Sequence, residues 1–233
     1  MSDATSHSTG EWPEELWADV DGYIGDHVGV SDDHLAHALS SSVHAGLPEI
    51  AVSPPQGKLL MLLAVSIGAR RILEIGTLGG YSTIWMARAL PMGGHLVTCE
   101  YSAEHARVAG ENIERAGLSD LVDIRVGPAI ETLPTLDGPF DFTFIDADKE
   151  SNPDYFRWAV RLARPGGLIV VDNTVRGGAV VDASRDDSAT VGTRALYEAV
   201  QSASTGQRPT VSATAIQTVG SKGYDGFVLA RVL

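Results

Sequence analysis

Cysteine is nearly absent from the chain: Cys99 stands alone among 233 residues. That excludes an internal disulfide and any cysteine-rich zinc site. Cys99 lies inside the apolar run HLVTCE, which marks it as core filling rather than a reactive thiol. Basic residues are scarce too, 17 against 30 acidic ones, which leaves a net charge of −13. A surface of that sign repels a phosphate backbone, and no basic stripe interleaved with aromatics offsets it. No nucleic-acid partner is expected. No apolar run approaches the roughly 20 residues that a membrane span needs, so no membrane partner is expected either. The opening MSDATSHSTGEWPEE lacks a signal peptide's basic and apolar regions, which makes a cytoplasmic location the expectation. The seven histidines are scattered singly. None forms a metal-spaced pair, and all of them, His44 included, read as structural or exposed.

What is present is apolar and regular. A hydrophobic share of 44% in a chain of this length suits one sizeable soluble domain with a large core. The first ten or so residues are small and polar and are expected to be disordered. Leu16, Trp17, Val20, Tyr23, Ile24 and Val28 then recur at helical spacing. SDDHLAHALSSSVHA gives a second helix, with Ser31 or Asp32 as its N-cap, and QGKLLMLLAVSIGA a third, closed by Gly68. From RILEIGT onward, strands and helices alternate. All-apolar strands in that rhythm imply a parallel sheet covered on both faces. NPDYFRWAVRLARPG reads as the last helix before the fifth strand, GLIVVDNT. The chain closes with a helix and two strands, PTVSATAIQTVG and FVLARVL, joined by a turn at SKGYDG as an antiparallel edge hairpin.

In such sheets ligands bind beyond the carboxyl ends of the strands. The first strand-to-helix turn, LEIGTLGGYST, carries Gly76, Gly79 and Gly80. The dinucleotide fingerprint needs two glycines one residue apart, and that spacing fails here. Glu74 precedes the first glycine and would repel a pyrophosphate. It suits an ammonium instead, and S-adenosylmethionine presents a zwitterionic amino acid at that place. Glu100 ends the second strand, where an acid holds ribose hydroxyls; this fits NAD and S-adenosylmethionine equally. Gly127 to Ala129 offer little bulk against an adenine.

The fourth strand ends in FIDADKE and delivers Asp146; the fifth ends in IVVDNT and delivers Asp172 and Asn173. Two carboxylates and an amide oxygen form a hard, oxygen-only set that suits Mg²⁺ and not zinc.

Taken together, VSPPQGKLLMLL, RILEIGTLGGYST, FIDADK and VVDNTVRGGAV resemble the cation-dependent catechol and caffeoyl-CoA O-methyltransferase family. The tail ATAIQTVGSKGYDGFVLARV resembles its bacterial members. The resemblance runs from about Gly46 to the C-terminus, with residues 1–45 as a more variable tail and helices. It implies a class I methyltransferase domain over 46–233, Rossmann-like, with helices on both faces of the sheet and extra N-terminal helices. The family implies S-adenosylmethionine and a divalent cation, Mg²⁺ or another such as Mn²⁺ or Ca²⁺, that holds both oxygens of a vicinal diphenol. By the same resemblance Asp146, Asp172 and Asn173 become metal ligands. Glu74, Gly76, Thr77, Ser82, Glu100 and Ala129 become cofactor contacts, with Asp146 beside them, and Val52 closes over the methionine end. Lys149 becomes the general base, since the like charge of a neighbouring dication favours its neutral amine. The family is commonly dimeric, so a homodimer and a small phenolic substrate are the expected partners.

Plant members that take CoA esters carry an aromatic residue after the Asp-Asn-Thr segment, where this chain has Arg176. The acceptor pocket is expected from the N-terminal helices, the loop HAGLPEI and residues 176–190. Two rivals stand beside this reading: a nicotinamide-dependent oxidoreductase, which would share the sheet and Glu100, and a non-catalytic S-adenosylmethionine binder, which would have lost part of the oxygen triad or Lys149.

Overall fold

Apolar side chains that point alternately to the two sides pack both faces of a central sheet. The computed structural model describes residues 14–29 and 31–233; the polar N-terminal tail lies outside the described residues. β1 (Arg71–Ile75), β2 (His95–Glu100), β3 (Val122–Val126), β4 (Phe140–Ile145) and β5 (Ala163–Asp172) run parallel. β6 (Val211–Gly220) and β7 (Gly223–Val232) add the antiparallel hairpin on one edge. The strand order is β3-β2-β1-β4-β5-β7-β6. The winding therefore changes direction between β1 and β4, which is where such sheets bind ligands.

The period of two sorts the core. Leu73, Ile75, Val97, Ile145 and Val171 face α7 (Asn152–Leu162) and α8 (Ser188–Ser204), meeting Phe156 and Leu196. Ile72, Leu96, Phe142, Phe144 and Val170 face the opposite layer. That layer holds α2 (Asp33–His44), α3 (Pro54–Ser66), α4 (Tyr81–Ala87) and α5 (Ala103–Arg115), which contribute Leu35, Leu60, Ile84 and Ile113. A short α6 (Ala129–Thr132) follows β3. Among the described residues, no helix is long and apolar enough to cross a membrane.

The helix starts follow their caps. Asp32, not Ser31, caps α2, accepting from the backbone of His34 and Leu35 while its carboxylate pairs with Arg88 at 2.6 Å. Ser53 caps α3, which begins at Pro54, earlier than its apolar run suggests, because proline is suited to the first turn. α1 (Glu14–Val28) buries no residue, and Val20, Tyr23 and Val28 remain exposed. It is held by polar contacts: Lys58 Nζ donates to the carbonyls of Val28 and Gly29, and Asp21 accepts from the backbone of Ser221.

Two boundaries differ from the sequence pattern. α7 ends at Leu162 and Ala163 is already extended, so ARPG belongs to β5 rather than to the helix. Pro165 explains this, since it disfavours the helical region for the residue before it and cannot donate to a helix. The hairpin turn is also tighter than SKGYDG: Gly220 pairs with Gly223, leaving Ser221 and Lys222 as a two-residue turn.

Candidate active site

The carboxyl ends of the five parallel strands open into one cleft of about 910 Å³. Of the expected residues, Val52, Gly76, Thr77, Ser82, Glu100, Ala129, Asp146, Lys149 and Asn173 line it. Glu74 and Asp172 sit behind that wall, buried to 0% and 5% exposure.

At the switch point the ends of β1 and β4 nearly touch. Asp146 donates its backbone N–H to the Ile75 carbonyl, and Gly76 donates to that of Cys99. Glu100 does more than close β2. Its Oε2 accepts from the backbone of Thr77 and Leu78 at 3.1 and 2.8 Å, and its Oε1 from Ser102 at 2.9 Å. One carboxylate thus braces the glycine turn while it lines the cleft. From the other side, Asn112 donates to the Gly79 carbonyl and accepts from Ser41 of α2. Burial, followed by the nearby Glu74 charge, pushes the Cys99 thiol up to about 12, so it stays protonated.

Glu74 accepts from the hydroxyls of Ser82 and Thr83, each at 2.5 Å. Burial still outweighs these bonds and raises its carboxyl to about 7 from an ordinary 4.5. Between these values the folded protein keeps a proton that the unfolded chain has lost. In EDTA the protein is therefore expected to lose stability as pH rises from about 4.5 to about 7. Glu74→Gln should flatten that slope. Thermal melts of both proteins across this window check it, and equal slopes would refute the assignment.

Asp146 and Asp172 form the centre of the site. Burial, then repulsion from Asp146, raises the Asp172 carboxyl to about 7, and its Oδ1 accepts from the Asn173 backbone at 2.8 Å. Asn173 takes a left-handed conformation, φ 55°, which asparagine tolerates better than most residues. The turn after it is held from β7. Thr174 donates to the Gly226 carbonyl, and Asp225 Oδ1 accepts from the backbone of Val175, Arg176 and Gly226 at 2.9 Å each. Lys149 Nζ lies 2.7 Å from Asp146 Oδ1, its side chain only 10% exposed. It does not serve the neighbouring surface acids: Asp148 accepts from Tyr155 and Ser151, and Glu150 from Ser188. Among the described residues, no three His, Cys, Asp or Glu side chains form a metal-holding group. Two carboxylates that repel one another, beside an amide oxygen, nevertheless fit a hard dication, whose charge would relieve that repulsion.

Tyr101, His105, Ile130, Tyr155 and Lys222 also line the cleft. Single residues in loops and helix starts carry no sequence pattern that would have found them, although His105 lies one turn beyond Glu100. The 176–190 segment contributes only Arg176. The rest is drawn away, because Arg194 donates to the carbonyls of Ala179, Val180, Asp182 and Arg185. Of the N-terminal helices, α2 reaches the cleft through Leu39, Ser42 and Val43; residues 48–52 complete that wall.

Residues 27–231 match the O-methyltransferase family. The chain belongs to that family. It is an S-adenosylmethionine-dependent O-methyltransferase, and the oxidoreductase reading is set aside. The chain is 54% identical over 215 residues to a catechol O-methyltransferase of Mycobacterium tuberculosis, covering 92% of this chain and 95% of that protein. It is 51% identical over 222 residues to one of Niastella koreensis, covering 94% and 98%. A crystal structure of an O-methyltransferase from Bacillus cereus in complex with SAH superposes with a TM-score of 0.90 at 51% identity, covering 95% of this chain and 100% of that one. The resemblance read from the separated motifs is thereby borne out, as is the mixed sheet with its C-terminal hairpin.

Proposed function

We propose that this O-methyltransferase moves the methyl group of S-adenosylmethionine to one hydroxyl of a vicinal diphenol, with Mg²⁺ held by Asp146, Asp172 and Asn173. The observation that carries this reading is the pairing of Asp146 with Asp172 and Lys149 at the switch point, in the same cleft as the braced glycine turn. Two similar proteins named catechol O-methyltransferase support the acceptor class.

A phenol, whose ordinary pKa is about 10, is a poor nucleophile at neutral pH. A dication held by Asp146, Asp172 and Asn173 would orient the acceptor and make its hydroxyl more acidic. The protein's own residues do the rest. Glu100, the glycine turn and Ala129 orient the donor, with Glu74 supporting the turn's helix from behind through Ser82 and Thr83. Val52 covers the reacting end against water. Lys149 Nζ takes the proton of the attacking hydroxyl. The acceptor oxygen then forms its bond to the methyl carbon as the sulfur–carbon bond breaks, and S-adenosylhomocysteine leaves. Holding both reactants in line contributes much of the acceleration.

Lys149→Gln tests the base. General-base assistance is worth on the order of 100- to 10,000-fold, so kcat should fall within that range. The loss should shrink as pH rises and the acceptor ionises unaided, with KM for S-adenosylmethionine unchanged. A uniform loss at every pH would assign Lys149 to holding Asp146 instead. The acceptor class is tested by methyl transfer from labelled S-adenosylmethionine to matched diphenols and monophenols. Product from diphenols alone is expected, and equal turnover of monophenols would remove the chelate from the proposal.

A further inference from the structure

The sheet order runs the cleft from β3 and β2, the adenosine side, through the β1/β4 switch to β5 and β7. On that far side the character of the wall changes. Arg176 lies three residues after Asn173, just beyond β5, and Lys222 stands at the tip of the β6–β7 hairpin; both line the cleft.

Arg176 is held in place by its backbone, and its guanidinium is left over. Its φ of +58° is a left-handed conformation that arginine does not favour. The Asp225 carboxylate oxygen that receives its N–H fixes that conformation. This oxygen is already shared among three backbone donors, those of Val175, Arg176 and Gly226. The Arg176 side chain is half-buried and makes no hydrogen bond or ion pair with any described residue. Six other arginines, Arg88, Arg107, Arg125, Arg157, Arg164 and Arg185, form ion pairs, Arg70, Arg71 and Arg194 donate to backbone carbonyls, and the rest are exposed. In a protein of net charge −13, a half-buried guanidinium without an acid partner in the cleft wall is free to meet an anion there. Lys222 is tied to the opposite wall, donating to the Glu49 carbonyl at 3.1 Å. It adds a second positive charge to the lining of the same cleft.

We propose that Arg176 selects acceptors that carry a carboxylate on the aromatic ring or its side chain, with Lys222 as an outer, weaker contributor. This rests on the diphenol reading above and adds the acceptor's charge to it. Arginine suits the task because its planar fork matches a carboxylate in two-point contact.

The test compares 3,4-dihydroxybenzoate with its methyl ester, which keeps the diphenol and removes the charge. It uses the wild-type protein with Mg²⁺, Arg176→Asn and Arg176→Lys. Asparagine tolerates the left-handed backbone, so that variant separates the side chain's charge from the turn's shape. The wild type is expected to prefer the acid in kcat/KM. Arg176→Asn should lower kcat/KM for the acid roughly tenfold, the scale of one charge-assisted contact. The ester should change less than about twofold, and Arg176→Lys should restore part of the preference. An equal fall for both acceptors, or a wild type indifferent to the charge, would overturn the proposal. As a check independent of any variant, raising salt should raise the wild type's KM for the acid and not for the ester; a KM for the acid that does not move would count against it. If neither acceptor is methylated, the diphenol reading has failed and this inference falls with it. If the ester is methylated as well as the acid in every protein, only the inference has failed.

Discussion

Asp172→Asn is expected to lower methyl transfer by about two to three orders of magnitude, the scale of several kcal/mol of charge stabilisation, while leaving the metal-free protein as stable as the parent or more so. The combination follows from the same geometry. Burial and the charge of Asp146 raise the Asp172 carboxyl to about 7. In the metal-free fold its ionised form is therefore destabilising once the pH exceeds its ordinary value of 3.8, and the loss grows until the pH passes about 7. Asparagine keeps the side chain's volume and can still accept from the Asn173 backbone, but it removes the charge. Thermal melts in EDTA at pH 8, beside turnover with Mg²⁺, measure both halves. A variant that is inactive because it has lost its fold would contradict the account, since the residue would then be structural. So would one with full turnover.

Gly76→Ala should be the most damaging single methyl group in the site. A Cβ there would lie 2.1 Å from the Asp146 carbonyl oxygen and 2.7 Å from its carbon, with φ at +98°. Both clashing atoms are backbone, so no side chain can swing aside, and the conformation is itself unfavourable for alanine. A loss of about 3 kcal/mol or more is expected, from strain and overpacking together. In a domain of this size that lowers Tm by roughly 10 °C. Because relief must push Asp146 away from β1, turnover should fall further than stability alone explains. Gly117→Ala is the control: its φ is +70° but no atom lies within 4 Å of the added carbon. It should show the backbone strain alone, a smaller drop in Tm with normal turnover. Equal melting temperatures for the two variants would deny that the strand ends are in contact.

The parallel strands were legible because burial on both faces forces near-continuous apolar runs, and the acids that end those runs stand out against them. That contrast singles out Asp146, Asp172 and Asn173 as hard oxygen donors. What sequence could not give was partnership. Glu74 follows the apolar pattern of β1 as a single exception, and nothing in the chain reveals that its oxygens are taken by Ser82 and Thr83 behind the wall. Its place at the end of β2 makes Glu100 read as a ribose contact, while its bonds to the glycine turn connect residues more than twenty positions apart. Lys149 has acids on either side in sequence, and only the turn's geometry turns it toward Asp146. The reach of residues 176–190 was overestimated for a related reason: the polar run looks free, whereas Arg194 on α8 gathers its carbonyls.

The most direct test of the central claim is methyl transfer from labelled S-adenosylmethionine to 3,4-dihydroxybenzoate by the wild-type protein, first stripped with EDTA and then with Mg²⁺ restored. Turnover that disappears on stripping and returns with Mg²⁺ is the predicted result. Turnover that persists undiminished in EDTA would contradict it, and Asp146, Asp172 and Asn173 would no longer be a metal site.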